Sequence, residues 1–87
     1  MSTQPIEPTL VKRIQVTYDV NKGRKGYLPD IRTVDAKNVD VYTHTWMYDN
    51  KPQYELYLVW FSESVRPLVR YEAFVYSFDI ITLKIDN

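Results

Sequence analysis

The sequence has no cysteine and only one histidine among its 87 residues. The lack of cysteine excludes a disulfide framework, a thiolate nucleophile and a cysteine-based zinc or iron–sulfur site. A single histidine excludes a histidine-rich metal centre. No apolar run approaches the ~20 residues that span a bilayer, so we expect no membrane segment. Basic and acidic residues number 11 each, and this balance disfavours a protein that holds nucleic acid mainly by bulk charge.

Residues that favour β-strands dominate the amino-acid composition. Valine, isoleucine, threonine, tyrosine, phenylalanine and tryptophan make up 36 of the 87 residues, whereas alanine and glycine occur twice each. These side chains suit a pleated, half-buried surface. The composition therefore predicts an all-β fold: a small antiparallel barrel or a strongly bent sheet of four to five strands, with room for one short helix.

The first eight residues differ from the rest. They include Pro5 and Pro8 but neither a basic segment nor an apolar segment of the kind found in signal peptides. We expect residues 1–8 to form an extended N-terminal arm and residues 9–87 to form a single β domain. A cytoplasmic location is expected, in the host cytoplasm if the protein is viral.

Residues 10–20 alternate between apolar and polar side chains, regularly from Arg13 onwards. Ile14, Val16 and Tyr18 would face one way, with polar residues between them, as in a half-buried strand. Residues 21–26 contain both glycines and predict a turn or mobile loop. Residues 27–38 predict an irregular connection with one short strand near 31–34.

Residues 39–48 and 53–61 predict a hairpin. A two-residue turn at Asn50-Lys51 would place four pairs opposite each other on one face. These pairs are Tyr48 with Gln53, Trp46 with Glu55, His44 with Tyr57, and Tyr42 with Val59. The other face carries most of the aliphatic side chains and is assigned to the core: Val41, Thr43, Thr45, Met47, Tyr54, Leu56, Leu58 and Trp60.

The first face of the hairpin is amphipathic. Tyrosine and tryptophan suit surfaces that are wet when free and buried when bound. The candidate partner-binding residues are Tyr42, His44, Trp46, Tyr48 and Tyr57. The alternative is that these rings pack beneath the C-terminal segment or the N-terminal arm. A one-residue change of register would exchange the two faces.

A basic loop offers a second kind of site. Lys22, Arg24 and Lys25 are interspersed with Gly23 and Gly26, which could let the backbone approach an anion. Together with the aromatic rings they would form a surface for single-stranded nucleic acid. The loop lacks the Walker spacing, and the alternative is a solvated turn.

The segment 68–85 is too long for one straight strand in so small a domain, so a bend is expected near Ser77-Phe78-Asp79. Within it, Arg70 and Glu72 are expected to pair with neighbouring strands and to protect a sheet edge.

No arrangement of residues predicts catalysis. His44 has no second histidine or cysteine near it in sequence, and no serine lies in a nucleophile motif. We expect no catalytic residue, metal ligand or cofactor. The sequence favours a non-catalytic protein-interaction module, an accessory subunit or inhibitor that binds a larger partner or forms a homodimer, and a viral or mobile-element origin fits its small size. The alternative function is single-stranded nucleic-acid binding.

Overall fold

The computed structural model describes residues 7–64 and 66–87, which form one antiparallel sheet. Its strands lie in the order β4–β3–β2–β1–β5, and the only helical segment in the described chain is a single 3₁₀ turn. The elements are β1 (Thr9–Asp19), β2 (Ile31–Tyr48), β3 (Lys51–Phe61), β4 (Arg70–Tyr76), the 3₁₀ turn (Ser77–Asp79) and β5 (Ile80–Asp86). The all-β prediction is confirmed. Of the predicted N-terminal arm, residues 1–6 lie outside the described residues.

The sheet curls without closing into a barrel. In a flat sheet, four spacings of about 4.8 Å would separate β4 from β5 by roughly 19 Å. The two strands are nevertheless joined by only the 3₁₀ turn, which rises about 2 Å per residue. The edges of the sheet therefore approach each other at this corner. Among the described residues no ladder joins β4 to β5, so the sheet remains open.

The bend in the C-terminal segment falls where it was predicted, at Ser77–Asp79. The Ser77 hydroxyl accepts a hydrogen bond from the Tyr54 backbone N–H at 3.0 Å and donates one to Oε1 of Gln53 at 2.7 Å. These two bonds fix the corner to the start of β3.

The strand β2 is longer than the sequence predicted. Residues 31–38, expected to be mostly irregular, belong to a strand that begins at Ile31 and pairs with β1 from its first residue. Asp19 lies opposite Ile31 and Thr9 opposite Val41. The local sequence is rich in charge, but a complete ladder with β1 satisfies its backbone groups, and this pairing outweighs weak strand propensity.

The buried side of β1 and β2 changes halfway along both strands. Ile14 lies opposite Ala36 and Val11 lies opposite Val39, and all four are buried although they are an odd number of residues apart along each strand. Asn38 lies at this crossover with φ 55°. Both strands therefore turn over together, which keeps apolar residues on the concave side as the sheet curls.

For the β2–β3 hairpin, the predicted faces are confirmed and the predicted register is wrong. The turn is Asp49-Asn50, with φ of 50° and 61°, the positive values of a type I′ turn. Tyr48 consequently lies opposite Lys51 rather than Gln53. The predicted pairs are displaced by two residues, and because two is the period of a strand, every side chain keeps its predicted face.

One core cluster fills the concave side of the sheet. The side chains of β1 to β4 contribute to it, and Ile14, Val16, Val39, Leu58 and Val75 are the largest that are fully buried. On the hairpin's core face, Val41 and Leu56 are buried as predicted, and Tyr54 and Trp60 pack against the cluster. The remaining predicted members are exposed towards the hairpin tip: Thr43, Thr45 and Met47.

Candidate binding face

The outward sides of β2, β3 and β4 form a continuous surface of aromatic and polar residues. The registers place Tyr42 opposite Tyr57 and Tyr57 opposite Phe74, so that three rings cross three strands. We define the aromatic face as the outward residues Tyr42, His44, Trp46 and Tyr48 of β2, Gln53, Glu55 and Tyr57 of β3, Phe74 and Tyr76 of β4, and Phe78 of the 3₁₀ turn. All five predicted partner-binding residues lie on it.

The rings of this face contact one another in two rows. In the first row the ring centroids of Tyr42 and Tyr57 are 5.5 Å apart, and those of Tyr57 and Phe74 are 4.5 Å apart. The distances in the second row are 5.6 Å for His44–Trp46, 6.3 Å for Trp46–Tyr76 and 5.4 Å for Tyr76–Phe78. Such spacings are typical of attractive ring pairs, which restrict the orientation of each ring.

The rings contact neighbouring rings on the same surface of the sheet and remain partly open to solvent. Tyr48 is 70% exposed, and Phe74 and Phe78 are each 52% exposed. The C-terminal strand β5 pairs with β1 at the far edge of the sheet, so it does not lie over these rings as one interpretation of the sequence required.

His44 does not lie opposite Tyr57, as the predicted register had it. Its partner across the ladder is Glu55, and its ring stacks on Trp46 at an interplanar angle of 25°. No group of three or more histidine or acidic side chains that could hold a metal ion occurs among residues 7–64 and 66–87.

A hydrogen-bonded trio closes one end of the aromatic face. The Tyr57 hydroxyl donates to the Glu72 carboxylate, while Arg70 donates to the Tyr57 oxygen at 2.9 Å and to Glu72 at 3.0 Å. The hydrogen bonds from Tyr57 and Arg70 lower the pKa of Glu72, and the bonds to Tyr57 and Glu72 raise the pKa of Arg70. The trio fixes the Tyr57 ring and neutralises the charges of β4 near it.

The basic loop, residues 20–30, is ordered by hydrogen bonds. Asp19 accepts from the backbone N–H groups of Asn21 and Asp30, both at 2.9 Å, and the Asn21 amide donates to the carbonyl of Leu28 at 3.0 Å. Gly23 has φ 76°, a conformation that favours glycine. These hydrogen bonds therefore hold the basic loop in a defined conformation.

Two of the three predicted basic residues reach the aromatic face. Lys22 and Arg24 line a cleft against the β4 end of that face, and Lys22 Nζ donates to the carbonyl of Ile80 at 3.4 Å. Lys25 is exposed and lies outside this cleft. We define the loop cleft by Lys22, Arg24, Phe74, Tyr76, Phe78 and Asp79.

Asp79 is the buried acid of the loop cleft. The residue is only 6% exposed, and within the described chain its carboxylate receives no hydrogen bond, although the oxygens keep a small contact with solvent. Burial raises the pKa of this carboxyl because it disfavours the charged form, Asp19 raises it further, and the positive charges of Arg24 and Lys22 oppose the shift.

A second cleft lies beside the hairpin tip. It is bounded by Trp46, Tyr48, Lys51, Gln53 and Phe78. Phe78 borders both this hairpin cleft and the loop cleft, so one ring at the sheet corner joins the two halves of the surface.

Sequence reasoning missed Phe74, Tyr76, Phe78 and Asp79 as candidate site residues. The alternation of residues 70–76 did predict a common side for Phe74 and Tyr76. What it could not supply was the pairing of β4 with β3, which places Phe74 against Tyr57, or the corner that carries Phe78 and Asp79.

Comparisons with known proteins identify no relative of this chain. No protein-family model, curated protein or solved structure matches it. Within the part of the chain that the structure describes, no helix is long and apolar enough to cross a membrane.

Proposed function

We propose that this chain is a non-catalytic interaction module that binds a protein partner through the aromatic face. The observation that carries the proposal is the continuity of rings across three strands, some exposed and some half-buried, in which neighbouring rings contact one another. Tyrosine and tryptophan are enriched among the residues that dominate binding energy at protein interfaces. A sheet surface also presents them with little loss of backbone freedom on binding.

The partner is a second copy of the chain or a larger protein for which this chain is an accessory subunit or inhibitor. A second copy is the simpler case, because the formal net charge of zero opposes self-association only weakly. The absence of cysteine fits a cytoplasmic module, in the host cytoplasm if the protein is viral.

Self-association is tested by light scattering after size-exclusion chromatography at two protein and two salt concentrations. The wild-type chain is expected to form a dimer that is little affected by salt. Trp46→Ala should weaken it by about 2 kcal/mol or more, roughly 30-fold in the dissociation constant, if Trp46 is a dominant contact.

Gln15→Ala is the matched control, because Gln15 lies on the outward side of β1, away from the aromatic face. Its dimer should equal the wild type. A wild-type chain that stays monomeric at every concentration would contradict self-association and leave the larger partner as the remaining form of the proposal.

A second candidate function is single-stranded nucleic-acid binding on the same face. It is favoured by the position of Lys22 and Arg24 beside the exposed rings of Phe74 and Phe78. Base stacking on aromatic rings, with cations for the phosphates, is how small β-sheets hold single strands. The acids Glu55 and Asp79 on or beside the face, and the zero net charge, weigh against it.

Salt and mutation separate the two candidates. Nucleic-acid binding should weaken steeply as salt rises, because binding releases counterions, whereas contact through aromatic rings should change little. Changing Lys22, Arg24 and Lys25 together to alanine should abolish binding to a single-stranded oligonucleotide and leave the protein dimer intact. Loss of the dimer in this variant would contradict the proposed position of the protein contact.

A further inference from the structure

The loop cleft combines three features that a simple protein contact does not require. Aromatic rings form one wall, with Phe74 and Phe78 half exposed to the cleft and to solvent. The second feature is the pair of cations Lys22 and Arg24, which line the same cleft from the basic loop. The third feature is Asp79, a residue that is only 6% exposed, whose carboxylate receives no hydrogen bond in the described chain and keeps a small contact with solvent.

Asp79 has lost most of its contact with water and has gained no protein donor in exchange, so its carboxylate oxygens, which still reach solvent, are only partly satisfied. Lys22 and Arg24 moderate that cost through space, but neither lies within salt-bridge distance of Asp79 in the structure. Such an acceptor, opening into a cleft, is suited to a ligand that brings its own N–H donors.

The chemistry of the cleft restricts that ligand. An aliphatic cation would satisfy Asp79 and the rings, but it would be repelled by Lys22 and Arg24. A free phosphate would satisfy these two cations and be repelled by Asp79. A ligand that fits all three features is planar, presents N–H donors at one edge and carries an anion at the other.

We propose that the loop cleft binds a guanine nucleotide unit. The base stacks against the rings of Phe74 and Phe78, and its N1–H and N2–H donors face the two oxygens of Asp79. The phosphate lies between Lys22 and Arg24. Adenine and cytosine each present a ring-nitrogen acceptor where guanine presents N1–H, so Asp79 disfavours both.

The cleft is large enough for such a ligand, and its walls are held in place. Its volume of about 450 Å³ lies within the ~300–1,000 Å³ of small-molecule sites. One wall is fixed by the hydrogen bonds of Asp19 within the basic loop, and the other by those of Ser77 to β3.

The nucleotide could be free or part of a single strand, and the cleft chemistry is the same in both cases. The loop cleft shares Phe74, Tyr76 and Phe78 with the aromatic face, so a protein bound there would compete with the nucleotide. A strand as the source would support the second candidate function.

The test is a two-dimensional amide NMR titration of the full chain with GMP, AMP and guanosine. GMP should shift the resonances of residues 22–24 and 74–79 and bind roughly tenfold more tightly than AMP, as expected for paired hydrogen bonds at a base edge. Guanosine should bind more weakly than GMP because it lacks the phosphate. Equal affinities for GMP and AMP would overturn the proposal.

Two variants assign the contacts. Asp79→Asn should remove the preference for GMP over AMP, and Lys22→Ala combined with Arg24→Ala should remove the preference for GMP over guanosine. Lys25→Ala is the matched control and should behave as wild type, because Lys25 lies on the same loop outside the cleft. Circular dichroism verifies that each variant is folded, and a preference for GMP that persists in Asp79→Asn would overturn the role of that residue.

Two further arms identify the source and exclude the competing ligand. If a strand supplies the nucleotide, a short single strand with one dG should bind much more tightly than GMP, and its affinity should fall steeply as salt rises. Equal affinities for the strand and for GMP would indicate the free nucleotide. Arginine amide is titrated in parallel, and binding of it in place of GMP would overturn the inference in favour of a cationic side chain of a protein partner.

The titration is repeated with Tyr48→Ala, which should weaken self-association, because Tyr48 is exposed on the aromatic face and does not line the loop cleft. A dimer that covers the cleft is then not mistaken for a cleft that fails to bind. GMP binding without a wild-type dimer would contradict self-association. A wild-type dimer without GMP binding in this variant would contradict the nucleotide site.

Discussion

The outer surface of the sheet has two halves that share the strand β2 and differ in how their side chains are satisfied. In the half over β1 and the start of β2, Arg13 donates two hydrogen bonds to Asp35, both at 3.0 Å, and Gln15 donates a third at 3.2 Å. The hydroxyls of Thr17 and Thr33 lie 3.3 Å apart. This polar face, defined by Arg13, Gln15, Thr17, Thr33 and Asp35, satisfies its side chains within itself while open to water.

The aromatic face, over the end of β2, β3 and β4, is built differently. Its rings stack on each other or meet edge to face, yet Phe74 and Phe78 still expose half of their surface to water. Exposed rings retain a favourable free energy of burial, at roughly 25 cal/mol per Å². A solvated sheet surface in this chain therefore does not require aromatic residues, and the aromatic face keeps exposed rings that the polar face lacks.

The largest expected effect tests whether the two halves share one core. Leu58→Ala removes a buried side chain beneath the aromatic face, and Ile14→Ala removes one beneath the polar face. Because both residues belong to one cluster, each change should lower the free energy of unfolding by about 2–5 kcal/mol, measured by urea denaturation. A loss confined to one of the two variants would show that the halves are stabilised independently.

The next effect concerns the crossover between the halves. Asn38 has φ 55°, which β-branched residues adopt only at high cost. Asn38→Val should lower the free energy of unfolding by about 1–3 kcal/mol, as measured by urea denaturation. Asn38→Gly is the control and should be tolerated much better, since glycine has no side chain to strain. Similar losses in both variants would mean that the contacts of Asn38, rather than its backbone, matter there.

Asp79 should make the corner of the aromatic face less stable as pH rises. Its pKa is raised in the folded state, so the folded chain binds more protons than the unfolded chain just above the ordinary value of 3.8. Stability should therefore fall as pH increases through that window. Asp79→Asn should remove this decline, so its stability relative to the wild type should be higher at pH 7 than at pH 3, as measured by thermal unfolding. A variant with the wild-type pH profile would contradict the assignment.

The polar face should show the opposite and smallest dependence on pH. The hydrogen bonds from Arg13 and Gln15 lower the pKa of Asp35, so its stabilisation is present above the ordinary carboxyl value and lost as pH falls through the folded one. Asp35→Asn should be slightly less stable than wild type at pH 7 and equal to it near pH 2. The effect should shrink in high salt because the pair is exposed.

The hairpin shows what period-two alternation determines and what it leaves open. Alternation placed Tyr42, His44 and Trp46 on one side and Leu56 and Leu58 on the other, and the structure keeps those sides. It did not determine the turn. The choice of Asp49-Asn50 over Asn50-Lys51 depends on which residues accept positive φ, and both alternatives preserve the faces because they differ by two residues.

The start of β2 shows where local sequence fails. Residues 31–38 have weak strand character by themselves, and their conformation depends on a partner strand some 20 residues away in the chain. The crossover at Asn38 leaves only a one-residue shift of the apolar positions in each strand, and that both strands turn over at the same point depends on their pairing.

The sequence by itself determined the all-β class, the alternation of β1, the two faces of the hairpin, the glycine turn and the bend at Ser77–Asp79, because each depends on neighbours within a few residues. Tertiary structure alone decided that β4 joins β3, that the sheet curls until its corner meets the basic loop, and that Lys22, Phe78 and Asp79 share one cleft. Strand pairing is non-local. The hydrogen bonds that bring these residues together join segments as far apart in the chain as β1 and β5, where Arg13 lies opposite Asp86, and no short window of sequence contains both.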